Sequence, residues 1–164
     1  MKIIKITNNN SIMRQPLRTF NKNDPVDLIV SIDNQFAADN CENTYFRLLN
    51  NGFNDKRIKI KSFINRQDYI KYLKMGHVFV SCSRSEGWGL PLNESLACGS
   101  PTIYSNWGAQ LEFAKGKGLP VNIIEEKLAS CGRESLYKTD GNIPGYYCEP
   151  DFNHLIRIIY TTRR

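Results

Sequence analysis

No apolar run in this sequence approaches the roughly 20 residues that a bilayer-spanning helix needs, so no segment reads as a membrane span. The opening MKIIKITNNN carries lysine but no apolar stretch of signal-peptide length, which leaves no export signal to read. Paired cysteines are also missing. Cys41, Cys82, Cys98, Cys131 and Cys148 are odd in number, scattered, and form no C-x-x-C. That pattern argues against a disulfide framework or a zinc site and fits a reducing, cytoplasmic setting. Histidine is scarce: His77 and His154 have no partner at ligand spacing. Both read as structural or surface residues, and no metal is expected. There is no block of basic residues either, since the 22 Lys and Arg that leave a net charge of +6 are spread along the chain. A basic surface of this kind can meet nucleic acid, phosphorylated small molecules or, peripherally, a membrane. No nucleic-acid module accompanies it, so no nucleic-acid partner is expected.

What is present is an ordinary globular composition, 41% hydrophobic and 23% charged over 164 residues, enough for one domain with a real core. Residues 1–24 are polar and Asn-rich and read as an incomplete N-terminal segment, with the domain proper over 25–164. After Pro25, the β-branched run 26–32 has strand length, and Asp33-Asn34 supplies turn chemistry. Residues 35–50 carry Phe36, Tyr45, Phe46, Leu48 and Leu49 before a helix stop at Gly52. A second strand is expected over 57–63, where Ile58 and Ile60 alternate with Lys59 and Lys61 as a strand with one wet face would. Asn65 can cap a helix with Tyr69, Ile70 and Leu73 on one face, ended by Gly76. Strands follow at 78–81, 102–104 and 119–123. Between the first two of these, Pro91 opens a helix that Gly99 closes. Strands alternating with helices every ~25 residues imply an α/β, Rossmann-like domain: a parallel sheet flanked by helices. Ligands of such sheets sit beyond the carboxyl ends of the strands, which directs the search to the loops after Ser81 and Tyr104.

The loop after Ser81 is the informative one. It contains Ser85-Glu86-Gly87-Trp88-Gly89-Leu90-Pro91, and a helix follows with Glu94 expected in its first turn. Glycines allow close approach of backbone to a ligand. Free amides at a helix start, with the positive end of the dipole, suit a phosphate. Glu86 and Glu94 can each accept hydrogen bonds from vicinal hydroxyls. One site then offers acceptors for a sugar, donors for a phosphate and acceptors for a ribose.

Glu86 and Glu94 stand in E-x7-E spacing, and Gly87, Trp88, Gly89, Leu90, Pro91, Ser95, Ala97, Gly99 and Pro101 fill the intervening and following positions. This run resembles the motif of the large retaining GT-B glycosyltransferase family numbered 4, also called group 1. Ser105, Gly108 and Glu112 match that family's following S-x-x-G-x-x-x-E. The resemblance covers roughly residues 26–160, most of a GT-B C-terminal, donor-binding domain, which is one half of the fold. It implies a nucleotide diphosphate-sugar as substrate and metal-independent, retaining glycosyl transfer without a cofactor. It implies that Glu86, in the catalytic position, faces hydroxyls of the transferred sugar. Gly87, Trp88 and Gly89 approach that sugar by their amides, those near Leu90 approach the diphosphate, and Glu94 faces the ribose. Ser62 and Phe63 fall where the family places its nucleobase pocket. The acceptor would bind a separate domain or subunit. The family's upstream strand with a glycine-basic pair has no clear match in residues 1–24, where Lys5, Arg14 and Arg18 sit in other contexts. The chain also ends within a helix, after Ile159, where the family continues.

Plainer roles stand beside these. Glu94 alone would be a first-turn acid favouring its own helix by roughly 0.3–1 kcal/mol, and Glu86 alone a solvated loop residue. Paired carboxylates also serve glycoside hydrolysis, but an acid among phosphate-type donors does not suit it. Core packing is the expectation for Trp88, and Glu112 can cap or brace the helix after it. Cys82 and Cys98 flank the site but lack a His/Asn constellation, so no nucleophilic role is assigned to them. The alternative to an enzyme domain is an inactive relic that folds and at most binds a nucleotide-sugar.

Overall fold

The computed structural model describes residues 2–7, 20–31, 55–61, 65–128 and 145–162. Its elements run β1 (Lys2–Thr7), β2 (Val26–Ser31), β3 (Ile58–Lys61), α1 (Arg66–Lys74), β4 (Val78–Ser81), α2 (Leu90–Ala97) and β5 (Thr102–Ser105). They continue with α3 (Leu111–Ala114), β6 (Leu119–Val121), β7 (Ile123–Leu128), β8 (Tyr146–Pro150) and α4 (Phe152–Thr161). β1 to β6 form one six-stranded sheet in the order β3-β2-β1-β4-β5-β6, parallel throughout. This is the expected α/β architecture, a parallel sheet flanked by helices.

The alternation of side chains along the strands accounts for the two covered faces. Leu28, Val30, Val78, Val80 and Ile103 pack on one side with Leu155 and Ile159 of α4. Ile29, Phe79 and Tyr104, one residue out of phase, pack on the other with Tyr72 and Leu73 of α1, Leu92 of α2 and Ala114 of α3. Leu92 is fully buried, a transfer of about 1.5–3 kcal/mol. At the β3 edge Ile58 and Ile60 are half-buried while Lys59 and Lys61 are exposed, as their alternation required. Lysines there also discourage pairing with a further strand.

Three features depart from the expectations. The N-terminal segment contributes β1, which lies inside the sheet and pairs Ile4 with both Leu28 and Val78; the sheet therefore reaches back before residue 25. The strand expected over 119–123 ends at Val121, and Ile123–Leu128 turns away to pair antiparallel with Tyr146–Pro150. On α1 the buried residues are Tyr72 and Leu73, with Tyr69 and Ile70 only half-buried. The helix expected over 35–50 lies outside the described residues. Among the described residues, no helix is long and apolar enough to cross a membrane.

The order of the sheet places the site. From β1 the chain builds outward through β2 to β3, then crosses back to lay β4 on the other side of β1. Helix coverage parts at such a reversal and leaves a crevice at the carboxyl ends of the strands on either side. The loop leaving β4 at Ser81 opens at that point. A hollow of about 420 Å³ lined by residues including Lys22, Asp27 and Arg57 lies at the amino ends of β2 and β3 instead, on the opposite edge from the acids of the motif.

Candidate functional site

The loop after β4 is anchored from below. Cys82 is fully buried, and Ser83 offers its carbonyl to the Ser105 hydroxyl at 2.9 Å, tying this loop to the end of β5. Gln110 fastens the β5 loop in turn, its amide donating to the carbonyls of Ser105 at 2.7 Å and Trp107 at 3.2 Å. Arg84 ties the loop to the hairpin. Its guanidinium pairs with Glu149, Nε lying 3.1 Å from Oε2, and sits 5.2 Å from the centre of the Tyr147 ring. Its carbonyl accepts from the Cys148 amide at 2.8 Å. The loop is thus fixed on two sides before it reaches Glu86.

From Glu86 the chain is exposed through Trp88 and dives at Gly89, which is buried and left-handed at φ +84°, ψ +49°. A side chain there would be disfavoured by the backbone, and a Cβ would meet Glu86 Cγ at 3.3 Å. Gly89 caps α2: its carbonyl accepts from Leu92 at 3.0 Å and Asn93 at 3.1 Å. Pro91 has no N–H. Among the described residues, none accepts a hydrogen bond from the amides of Gly87, Trp88, Gly89 or Leu90. Four donors are therefore grouped at the positive end of a helix, beside the carboxylate-bearing Glu86.

Glu94 is the fifth residue of α2, not in its first turn as expected, because the helix starts at Leu90 rather than Pro91. The first turn holds no acid, and the self-stabilising role considered for Glu94 loses its basis. Five residues beyond Gly89, it stands about 7.5 Å along the helix axis. Its side chain is a quarter exposed, and Oε1 lies 2.7 Å from Arg66 Nη2 at the start of α1. Since α1 follows the carboxyl end of β3, this pair lies at the same edge of the sheet as Glu86. Tyr69, next on α1, has its hydroxyl pushed well above the usual tyrosine range, first by burial and then by the Glu94 charge and hydrogen bond.

The other sequence-derived residues divide. Trp88 does not pack into the core; it is 46% exposed, its ring tilted against Phe113 at 5.3 Å. The reason is local: Gly87 and Gly89 carry the chain out over the surface between them. Leu90 is likewise exposed. Trp107 donates from Nε1 to Glu126 at 2.6 Å, which fixes it against the hairpin. Glu112 is exposed in the first turn of the short helix α3. His154 accepts from the Asn122 amide at 3.0 Å, a structural role. Burial pushes the Cys82 thiol up, away from thiolate chemistry. Ser62 and Phe63 lie outside the described residues. Arg66 and Arg84 were not singled out from the sequence. The available signal for Arg66 was its place directly after the cap Asn65, at a helix start facing the carboxyl edge.

These geometries can be set against known proteins. Residues 39–119 match the family described as glycosyl transferases group 1. The group 1 segment contains the β4 loop, α2 and both acids. A protein of the Sulfolobus islandicus filamentous virus (isolate Iceland/Hveragerdi), named provisionally as glycosyltransferase 48, is 36% identical over 67 residues, 38% of this chain and 21% of the viral protein. The chain thus covers about a fifth of that relative's length. Among solved structures, HepE of Anabaena in complex with UDP-glucose superposes with a TM-score of 0.57 at 18% identity, over 73% of this chain and 34% of HepE. The GtfA/B complex gives 0.59 at 14% identity, over 99% of this chain and 29% of its counterpart. At such identities the likeness speaks for the fold. That fold, shared with these neighbours, is a parallel α/β sheet flanked by helices.

Proposed function

We propose that this domain binds the nucleotide diphosphate-sugar donor of a glycosyltransferase at the carboxyl edge of its sheet, over the loop 82–89 and the start of α2. One observation carries the reading: four amides with no acceptor among the described residues, from Gly87 to Leu90, lie between two carboxylates at the point where the sheet reverses its build. The amides of Gly87, Trp88 and Gly89 approach the transferred sugar, and those near Leu90, with the helix dipole, take the diphosphate. Glu86 accepts from hydroxyls of the transferred sugar, and Glu94 from the ribose. As the bond to the sugar breaks, charge grows on the leaving diphosphate, where preorganised amides stabilise it most. No metal enters this proposal. Transfer proceeds with retention, the departing phosphate taking the acceptor's proton, and the acceptor is held by a second domain or subunit. The group 1 match supports the reaction class, and HepE, solved with UDP-glucose, suggests the first donor to try.

Thermal unfolding with UDP-, GDP- and ADP-sugars at millimolar concentration tests the reading. A ligand that binds only the folded state raises the melting temperature, by about 2.7 kcal/mol of stability at a hundred times its Kd. A shift with at least one donor is expected. Absence of a shift with all of them would overturn donor binding.

A further inference from the structure

The pair between Arg66 and Glu94 has no explanation in the helices that carry it. Arg66 is the first residue of α1, at the positive end of that helix, where a cation is disfavoured. The helix has its own caps without it: Asn65 accepts from the Asp68 amide at 2.9 Å and donates to the Asp68 carboxylate at 3.0 Å. Glu94, past the first turn of α2, gains little from the dipole of its helix. Nor is the pair a strong brace for the fold, since the Arg66 side chain is 63% exposed and exposed ion pairs contribute little to stability. Yet the arginine is held, its guanidinium 5.5 Å from the centre of the Tyr69 ring. Residues on two helices, 28 positions apart in sequence, converge on one carboxylate that stays partly open to solvent.

A carboxylate has about four acceptor positions. The Arg66 guanidinium takes one at Oε1, and the Tyr69 hydroxyl faces the same carboxylate. Positions are left for the two hydroxyls of a vicinal diol. We propose that Arg66 and Tyr69 are positioning residues for Glu94: together they fix the rotation of its carboxylate so that the free acceptor positions meet both hydroxyls of a ribose. This rests on the donor-binding reading above. It adds that the site discriminates ribonucleoside from 2′-deoxyribonucleoside diphosphates, and that the discrimination depends on two residues that need not touch the nucleotide. Without Arg66 the carboxylate turns freely and one hydroxyl is as good a partner as two.

The test is titration of the full chain with UDP, ADP and GDP and with their 2′-deoxy counterparts, in wild type, Arg66→Gln, Arg66→Lys, Tyr69→Phe and Glu94→Gln. Wild type is expected to prefer the ribonucleotide by about ten-fold, the worth of a hydrogen bond to a charged group. Arg66→Gln removes most of that preference while leaving affinity for the deoxynucleotide unchanged. Arg66→Lys, which keeps the charge but loses the planar fork, falls between, and Tyr69→Phe loses part. The lysine and phenylalanine variants keep the test decisive if glutamine at 66 disturbs folding. If Arg66→Gln retains the preference while Glu94→Gln abolishes it, the positioning role is wrong and the donor reading stands. Equal weakening of both nucleotides by Arg66→Gln also overturns it, because the arginine would then act on the phosphates. If wild type binds no nucleotide, or Glu94→Gln leaves the preference intact, the donor reading fails and the positioning role with it.

Discussion

Replacing Gly89 with alanine should harm ligand binding out of proportion to its effect on the fold. The residue sits at φ +84°, where a Cβ costs about 1–2 kcal/mol. For a chain of this length each kcal/mol lowers the melting temperature by about 2–4 °C, so a loss of about 2–8 °C is expected. The second effect is specific to the site: the new Cβ would lie 3.3 Å from Glu86 Cγ, so that side chain must move by a few tenths of an ångström. Gly99 is the control. It closes α2 at φ +72° with nothing within 4 Å of an added Cβ, so Gly99→Ala carries a comparable backbone cost with no neighbour to displace. The assay is a thermal scan of both variants, followed by calorimetric titration with a nucleotide-sugar and with the matching nucleoside diphosphate. Both variants lose similar stability; only Gly89→Ala binds the nucleotide-sugar more weakly relative to the nucleotide. Equal binding by the two variants would refute the claim that Gly89 sets the place of Glu86.

Three further outcomes are expected. The Arg57 guanidinium beside Asp55 holds that carboxyl below its ordinary range, in a bidentate pair whose arginine is buried. A carboxyl so depressed contributes stability that is full above about pH 4 and fades as pH falls through its lowered folded value. Asp55→Asn should therefore cost about 1–3 kcal/mol in denaturant titrations at pH 7, a gap that closes in acid below pH ~4; a gap constant with pH would contradict this. Leu92→Ala, at a fully buried position, should cost about 2–5 kcal/mol, while Leu90→Ala two residues away, 61% exposed, should stay within about 0.5 kcal/mol. Maleimide mapping by mass spectrometry should find Cys98 modified in the native protein, and Cys82 and Cys148 only after unfolding, following their burial.

The sequence was informative where burial leaves a periodic trace. β4 and β5 lie in the sheet interior and are short apolar runs between turn residues, so their bounds could be read closely. β1 escaped because its Lys2-Ile3-Ile4-Lys5-Ile6-Thr7 mixes charge into a short run and leads into asparagines. Its partners β2 and β4 are distant in the chain. The β7–β8 hairpin escaped for the same reason, its strands being joined across residues 129–144. The acids of the candidate site stand out through their spacing and the glycines around them. Proline preference put the helix start one residue late, which misplaced Glu94 by a fraction of a turn. The Arg66–Glu94 pair links two helices through tertiary packing alone, and no local pattern announces such a contact.

The division of labour between the two acids is the central claim, and it can be measured directly. Glu86→Ala and Glu94→Ala are titrated with free nucleoside diphosphate, which carries a ribose but no transferred sugar. Glu94→Ala is expected to lose most of its affinity for the nucleotide while Glu86→Ala stays near wild type. The reverse ranking would contradict it.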